Sequence, residues 1–173
     1  KAAIVIEDGV IRWVGPDSDM PKQDDSADEE IYMDAIGRAV IPGFVDSHTH
    51  LVFGGYRPDE FGWRLKGDTY MSIMERGGGI QSTVNATRDA SEEELREKAE
   101  WFLEEMSQMG VTTVEAKSGY GLDTETELRM LRVIDALAKD PERKVDVVST
   151  FLGAHAVPKE YKGRTAEYVD LMI

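Results

Sequence analysis

Two short runs, Ala3-Ile4-Val5-Ile6-Glu7 and Val10-Ile11-Arg12-Trp13-Val14-Gly15, are rich in β-branched residues and flank the dipeptide Asp8-Gly9. That pattern predicts a β-hairpin closed by a two-residue turn. Pro16, Pro21 and the acidic stretch Asp24 to Glu30 then read as loop, followed by a short strand over Glu30 to Asp34. From Ile41 the pattern changes. Val40-Ile41-Pro42-Gly43-Phe44-Val45 is an apolar, strand-like run. Ser91 with Glu94 forms a capping box, and Leu95, Ala99, Phe102, Leu103 and Met106 recur at helical spacing until Gly110. Val111 to Ala116 reads as a strand, and Thr124 to Lys139 as a helix with Leu128, Leu131, Ile134 and Ala138 in its buried stripe, stopped by Asp140-Pro141. A third strand, Val145 to Leu152, leads into Gly153-Ala154-His155-Ala156, and Lys159 onward reads as loop and the start of a further helix.

Strands alternating with helices predict an α/β fold with a parallel sheet. The polar residues of chemical interest fall just after the strands: His48 and His50, then Lys117 and Tyr120, then His155. In a closed parallel barrel those positions surround one mouth, where such folds place their chemistry. An open doubly wound sheet also binds at strand ends, but no glycine-rich phosphate fingerprint follows the first strand. The expectation is therefore a partial TIM-type (β/α)8 barrel over residues 40–173, preceded by a small β segment over residues 1–39. A complete barrel needs about 250 residues, so the chain reads as the N-terminal part of a longer protein.

Composition narrows the chemistry. The chain has 173 residues, 41% hydrophobic and 31% charged, with no apolar stretch long enough to suggest a membrane span and no signal-peptide pattern. A cytoplasmic protein without a membrane partner is expected. With no cysteine, disulfides, thiolate metal sites and cysteine nucleophiles are all excluded, and any metal must use nitrogen and oxygen ligands. A net charge of −14 argues against nucleic acid, which needs a basic face. Asp24 to Glu30 and Glu92 to Glu94 are read as a solvated loop and a helix first turn.

Val45-Asp46-Ser47-His48-Thr49-His50 holds two of the three histidines one residue apart at the end of an apolar run. Side chains alternate across a strand, so Asp46, His48 and His50 are expected on one face, as half of a zinc or iron site. The plain alternative is a pair of polar strand-end residues packed against a loop. What favours the metal is the order of strand, ligands and then the glycine loop Leu51-Val52-Phe53-Gly54-Gly55.

These segments resemble the metal-dependent amidohydrolases. Within them, the order of Ile41 to His50, Val52 to Arg57, Gly77-Gly78-Gly79-Ile80, Glu115 to Leu122 and Phe151 to His155 is similar to that of the imidazolonepropionase family. The resemblance implies a barrel joined to a composite β-sandwich domain, one divalent zinc or iron ion, and hydrolysis of the cyclic amide 4-imidazolone-5-propanoate, a small-molecule substrate, to N-formimidoyl-L-glutamate. It makes His48 and His50 metal ligands, Arg57 a clamp for the propionate, Tyr120 a substrate contact, and His155 a substrate contact with a catalytic role. Two further ligands, a histidine and an aspartate, are expected beyond Ile173, so this chain alone is expected to be inactive; the full-length protein is expected to be a homodimer. Each assignment has a plainer rival: a solvated arginine, a packed tyrosine, a structural histidine. Glu115 and Lys117 are read as an ion pair rather than a carboxylated-lysine site, Gly77 to Gly79 as a loop or turn, Tyr70 as a lesser contact, and Trp13, Trp63 and Trp101 as packing. The rival functions are a dihydroorotase-like or deaminase-like amidohydrolase and a non-catalytic scaffold of the same fold.

Overall fold

A computed structural model describes residues 1–22 and 31–173. The acidic stretch Asp24 to Glu30 therefore lies outside the described residues. The chain divides into two compact units, Lys1–Pro42 and Gly43–Ile173.

In the first unit β1 (Ala2–Glu7) and β2 (Val10–Pro16) pair antiparallel, from Ala2 opposite Pro16 to Glu7 opposite Val10. Asp8 and Gly9 have φ of 50° and 74°, the left-handed pair that a tight hairpin requires. Register slips between Val5 and Ile6, leaving Arg12 as the extra residue of a bulge. The strand expected over Glu30 to Asp34 does not form: residues 31–34 have no regular structure, and Ile31, Tyr32 and Met33 are exposed.

The second unit is mixed α/β. Its sheet has three parallel strands in sequence order, β3 (Phe44–Thr49), β4 (Val111–Lys117) and β5 (Asp146–Thr150). β3 begins later than the apolar run suggests. Pro42 has no N–H to give a ladder, and Gly43 lies so close to the Thr112 side chain that a Cβ would come within 2.2 Å of it.

Between β3 and β4 run α1 (Pro58–Leu65), α2 (Tyr70–Glu75), α3 (Ile80–Asp89) and α4 (Glu92–Gln108). Pro58 starts α1 at a position where its missing N–H costs nothing, and Thr69 caps α2 by accepting from Ser72 N–H at 3.2 Å. The Ser91/Glu94 box on α4 is complete, with Glu94 N–H donating to Ser91 Oγ and Ser91 N–H to Glu94 Oε2. Glu94 is held below the usual carboxylate range chiefly by that Ser91 N–H bond. α5 (Thr124–Lys139) is capped by Asp123, and α6 (Thr165–Met172) follows a short 3₁₀ turn at Lys159–Tyr161. No helix among the described residues is long and apolar enough to cross a membrane.

Leu95, Ala99 and Leu103 of α4, Val114 and Ala116 of β4, Val147 of β5, and Met130, Val133, Ile134 and Leu137 of α5 form the main core. Both helices thus cover the same face of the sheet. The stripe on α5 is rotated from the expected one: Leu128 is 51% exposed and Ala138 is exposed, while Met130, Val133 and Leu137 point inward beside Ile134. Both rows repeat every three to four residues, and only contact with β4 and β5 selects between them. Trp101 is also not a packing residue. It is 55% exposed, touching Phe102 edge-on at 4.9 Å, whereas Trp13 and Trp63 are half-buried.

Candidate active site

The C-terminal ends of the three strands bring four of the predicted groups together. His50 stacks on His155 with ring centroids 4.5 Å apart and 18° between planes. Tyr120 lies 4.6 Å from His50 and 5.4 Å from His155, and His48 meets the edge of His50 at 5.9 Å. His48 lies near the end of β3, and His50, Tyr120 and His155 follow β3, β4 and β5, so their convergence depends on the sheet register.

β3 does not keep strict alternation up to the histidines. Asp46 pairs with Val114 and Thr49 with Ala116, three steps against two, so a bulge lies between them. The expectation that Asp46, His48 and His50 share one face through simple alternation is thereby corrected: Asp46 turns back, and its Oδ1 accepts from the His48 N–H at 3.2 Å. Thr49 anchors the strand end by donating to the Glu115 carbonyl at 2.8 Å.

Burial pushes His50 down to about 4, with the neighbouring His155 and then His48 adding to the effect. At neutral pH its imidazole is uncharged. Its Nδ1 is buried and has no hydrogen-bond partner. A buried ring nitrogen with no partner on a neutral imidazole is open to a metal and is what a structural histidine avoids. Among the described residues no group of three or more His, Asp or Glu side chains could hold a metal.

His155 Nδ1 lies 3.0 Å from the Gly119 carbonyl oxygen. A carbonyl can only accept, so Nδ1 carries the proton of that bond and Nε2 of the neutral ring keeps its lone pair. The approach is close: a Cβ on Gly119 would come within 2.8 Å of the His155 Cβ and 2.7 Å of the Leu152 carbonyl.

The loop that carries Tyr120 is organised by a residue the sequence reading missed. Glu127, on the first turn of α5 and 2% exposed, accepts from the N–H groups of Gly119 (3.0 Å), Gly121 (2.8 Å) and Leu122 (2.9 Å). Its signal is a glycine-rich turn followed within a few residues by an acid on the opening turn of a helix. Arg88 braces the same loop from α3, donating to the Gly121 carbonyl at 2.8 Å and pairing with Asp123 and Glu160.

Arg57 joins His50, Phe53, Tyr56, Thr83 and Tyr120 around a cleft of about 190 Å³. Glu60, also missed, braces it. One carboxylate oxygen lies 3.4 Å from Arg57 Nη1 and the other accepts from the Gly79 N–H at 2.6 Å, so the glycine run at 77–79 forms a fixed turn into α3. Tyr70 is 52% exposed, its hydroxyl near Gly79. Glu115 and Lys117 form the expected ion pair on β4; the Lys117 ammonium and the Thr150 hydroxyl, at 2.6 Å, hold Glu115 below its usual range. A separate hollow of about 160 Å³ at the N-terminal end of β5 is lined by Glu100, Glu104, Asp140, Glu142 and Arg143 among others, and holds none of the groups above.

No family model matches the chain. Individual relatives do. It is 61% identical over 170 residues to an imidazolonepropionase of Phocaeicola vulgatus, covering 97% of this chain and 40% of that protein. It is 54% identical over 173 residues to that of Clostridium tetani and 56% identical over 173 residues to that of Bacteroides thetaiotaomicron, in each case covering all of this chain and 41% of the relative. Over the roughly two-fifths of their length that it spans, the chain belongs to the imidazolonepropionase family.

Proposed function

We propose that this chain provides the substrate-recognition residues and two metal ligands of an imidazolonepropionase, a hydrolase that opens the ring of 4-imidazolone-5-propanoate to N-formimidoyl-L-glutamate. The observation that carries the reading is the meeting of His48, His50, Tyr120 and His155 at the strand ends, with Arg57 on the same cleft. The names of the relatives support the substrate.

The three strands are read as consecutive members of a (β/α)8 barrel, with residues 40–173 as its first part and residues 1–39 belonging to a small β domain. Support comes from the topology. In a doubly wound sheet the strand order reverses and helices cover both faces, whereas here the order is β3-β4-β5 and α4 and α5 share one face.

His48 and His50 fit a divalent zinc or iron ion, because the His50 ring is neutral and its buried Nδ1 is unpartnered. When bound, such an ion supplies Lewis acidity toward water and the ring carbonyl. The chain's own residues do the rest. Arg57 offers its guanidinium to the propionate, with Glu60 fixing its direction. Tyr120, packed on His50, presents its phenol to a polar group of the ring. His155 has Nε2 free to take a proton from the attacking water and return it to the ring nitrogen as the C–N bond breaks.

The test is loss of the substrate's ultraviolet absorbance with the intact protein. Arg57→Ala should raise KM by at least about tenfold, the scale of a lost hydrogen bond to a charged group. An unchanged KM removes the clamp, and no turnover by the wild type removes the substrate.

A further inference from the structure

The segment from Leu51 to Arg57 carries the outer wall of the cleft, and it is fastened from two sides. On one side it meets α3: the Gly54 N–H donates to Thr87 Oγ1 at 2.9 Å, and that buried hydroxyl donates in turn to the Thr83 carbonyl at 2.8 Å. On the other side it meets α4, where one contact is made by Lys98, a residue that the proposed mechanism does not use. The Lys98 ammonium lies 3.6 Å from the centroid of the Phe53 ring and 3.7 Å from that of Tyr56, and donates to the Gly55 carbonyl. Phe53 and Tyr56 stand at 83° to each other, 6.1 Å apart, so the ammonium fills the corner between two perpendicular π faces.

Both rings line the cleft beside Arg57. Phe53 also touches the edge of Tyr120 at 6.4 Å and stacks on Phe102 of α4 at 5.9 Å. A cation held by two aromatic faces and a carbonyl fixes the angle of both rings as well as the backbone between them. Without it, Phe53 and Tyr56 keep their apolar contacts but lose the group that sets their mutual orientation.

We propose that Lys98 is a positioning residue for substrate recognition: its ammonium, seated between Phe53 and Tyr56 and bonded to the Gly55 carbonyl, holds segment 51–57 in the shape that presents Arg57 to an anionic substrate. The inference rests on the reading of this cleft as the substrate site. Its chemistry separates it from a simple surface lysine. Lys98 is half-buried, burial pushes it down to about 8, and the two ring faces favour the charged form that such burial disfavours. Exposed lysines on a helix end in solvent; this one ends on a loop that carries the recognition residues.

The experiment uses the intact protein and two substitutions. Lys98→Met keeps the stem and removes the cation; Lys98→Arg keeps a cation able to stack on both rings. In Lys98→Met, KM for imidazolone propionate should rise roughly 3- to 30-fold with kcat nearly unchanged, the scale of a desolvated cation–π contact. Backbone amides of residues 53–57 should exchange hydrogen faster, and Lys98→Arg should restore both readings. Three results overturn the proposal: an unchanged KM in Lys98→Met; a raised KM without faster exchange at 53–57; or a Lys98→Arg protein as impaired as Lys98→Met, which assigns the effect to packing of the stem. No turnover by the wild type overturns the functional reading beneath it, so the two failures are told apart.

Discussion

At the scale of single residues, the buried carboxylates carry the precision of the site. Glu127 sits where three backbone N–H groups of one loop would otherwise face the core. Removing a buried acceptor leaves its donors unsatisfied at about 1–3 kcal/mol for each, partly recovered by relaxation and water. Glu127→Ala is expected to lower the unfolding free energy by about 2–4 kcal/mol in urea titrations. Glu127→Gln should cost less, because its carbonyl oxygen can still serve Gly121 and Leu122 while its amide group faces the Gly119 N–H, donor against donor. A Glu127→Ala protein as stable as wild type would show that the loop holds itself. The histidines stand out in the sequence by residue type and strand-end position and Tyr120 by its flanking glycines, whereas Arg57 stands out only through the family resemblance. The sequence did not announce Glu60, Glu127 or Lys98. Acids near a helix start and a lysine on an acidic helix are ordinary in composition, and only the fold reveals that their partners are loop amides and aromatic rings.

At the scale of elements, the sequence pattern specifies structure where the chemistry is local. The α4 capping box, the Asp8-Gly9 turn and the Asp140-Pro141 stop all appear where the pattern put them. The three helices between Tyr56 and Ala90 were not foreseen. They are short, and their starts rest on Pro58, on Thr69 and on Gly79 rather than on long apolar stripes. The bulge in β3 was equally invisible, since it arises from pairing with β4 and not from β3 alone. One junction between elements gives a sharp expectation. A Cβ at Gly54 would lie 2.2 Å from the Ala86 carbonyl oxygen, inside the backbone of α3, which no rotamer change can relieve. Gly54→Ala must push segment 51–57 off α3 and break the Gly54–Thr87 bond. It should destabilise by roughly 1–3 kcal/mol, as overpacking typically does, and raise KM more than Thr87→Val, which removes the bond without the clash. Equal KM values in the two variants would show that the close approach is not what shapes the cleft.

At the scale of the whole molecule, α4 and α5 pack one face of the β3-β4-β5 sheet, while apolar side chains among the described residues of the other face stay exposed. α4 and α5 bury Val114, Ala116 and Val147, while Val148 on the opposite face is 53% exposed, and Phe44, Val45 and Phe151 along the sheet are 54%, 67% and 50% exposed. Among the described residues, β3 and β5 each have one strand neighbour. Exposed apolar side chains beside unpaired strand edges favour association with another chain. The net charge of −14 opposes it, by repulsion that reaches about 30 Å at 0.01 M salt but only about 8 Å at 0.15 M. The 173-residue chain, prepared by itself, should therefore sediment mainly as a monomer at 10 mM salt and associate progressively as salt rises, because screening removes the repulsion and leaves the apolar attraction. Val148→Lys places a charge on the open face, at the midpoint of the edge strand β5, and should shift that association to higher salt, whereas Leu128→Lys, on the solvent side of α5, should shift it less. Sedimentation velocity across a salt series reads both. A monomer at every salt concentration would mean that the open face is masked by some arrangement of this chain, and association that weakens with salt would assign the contact to charge pairs instead of the sheet.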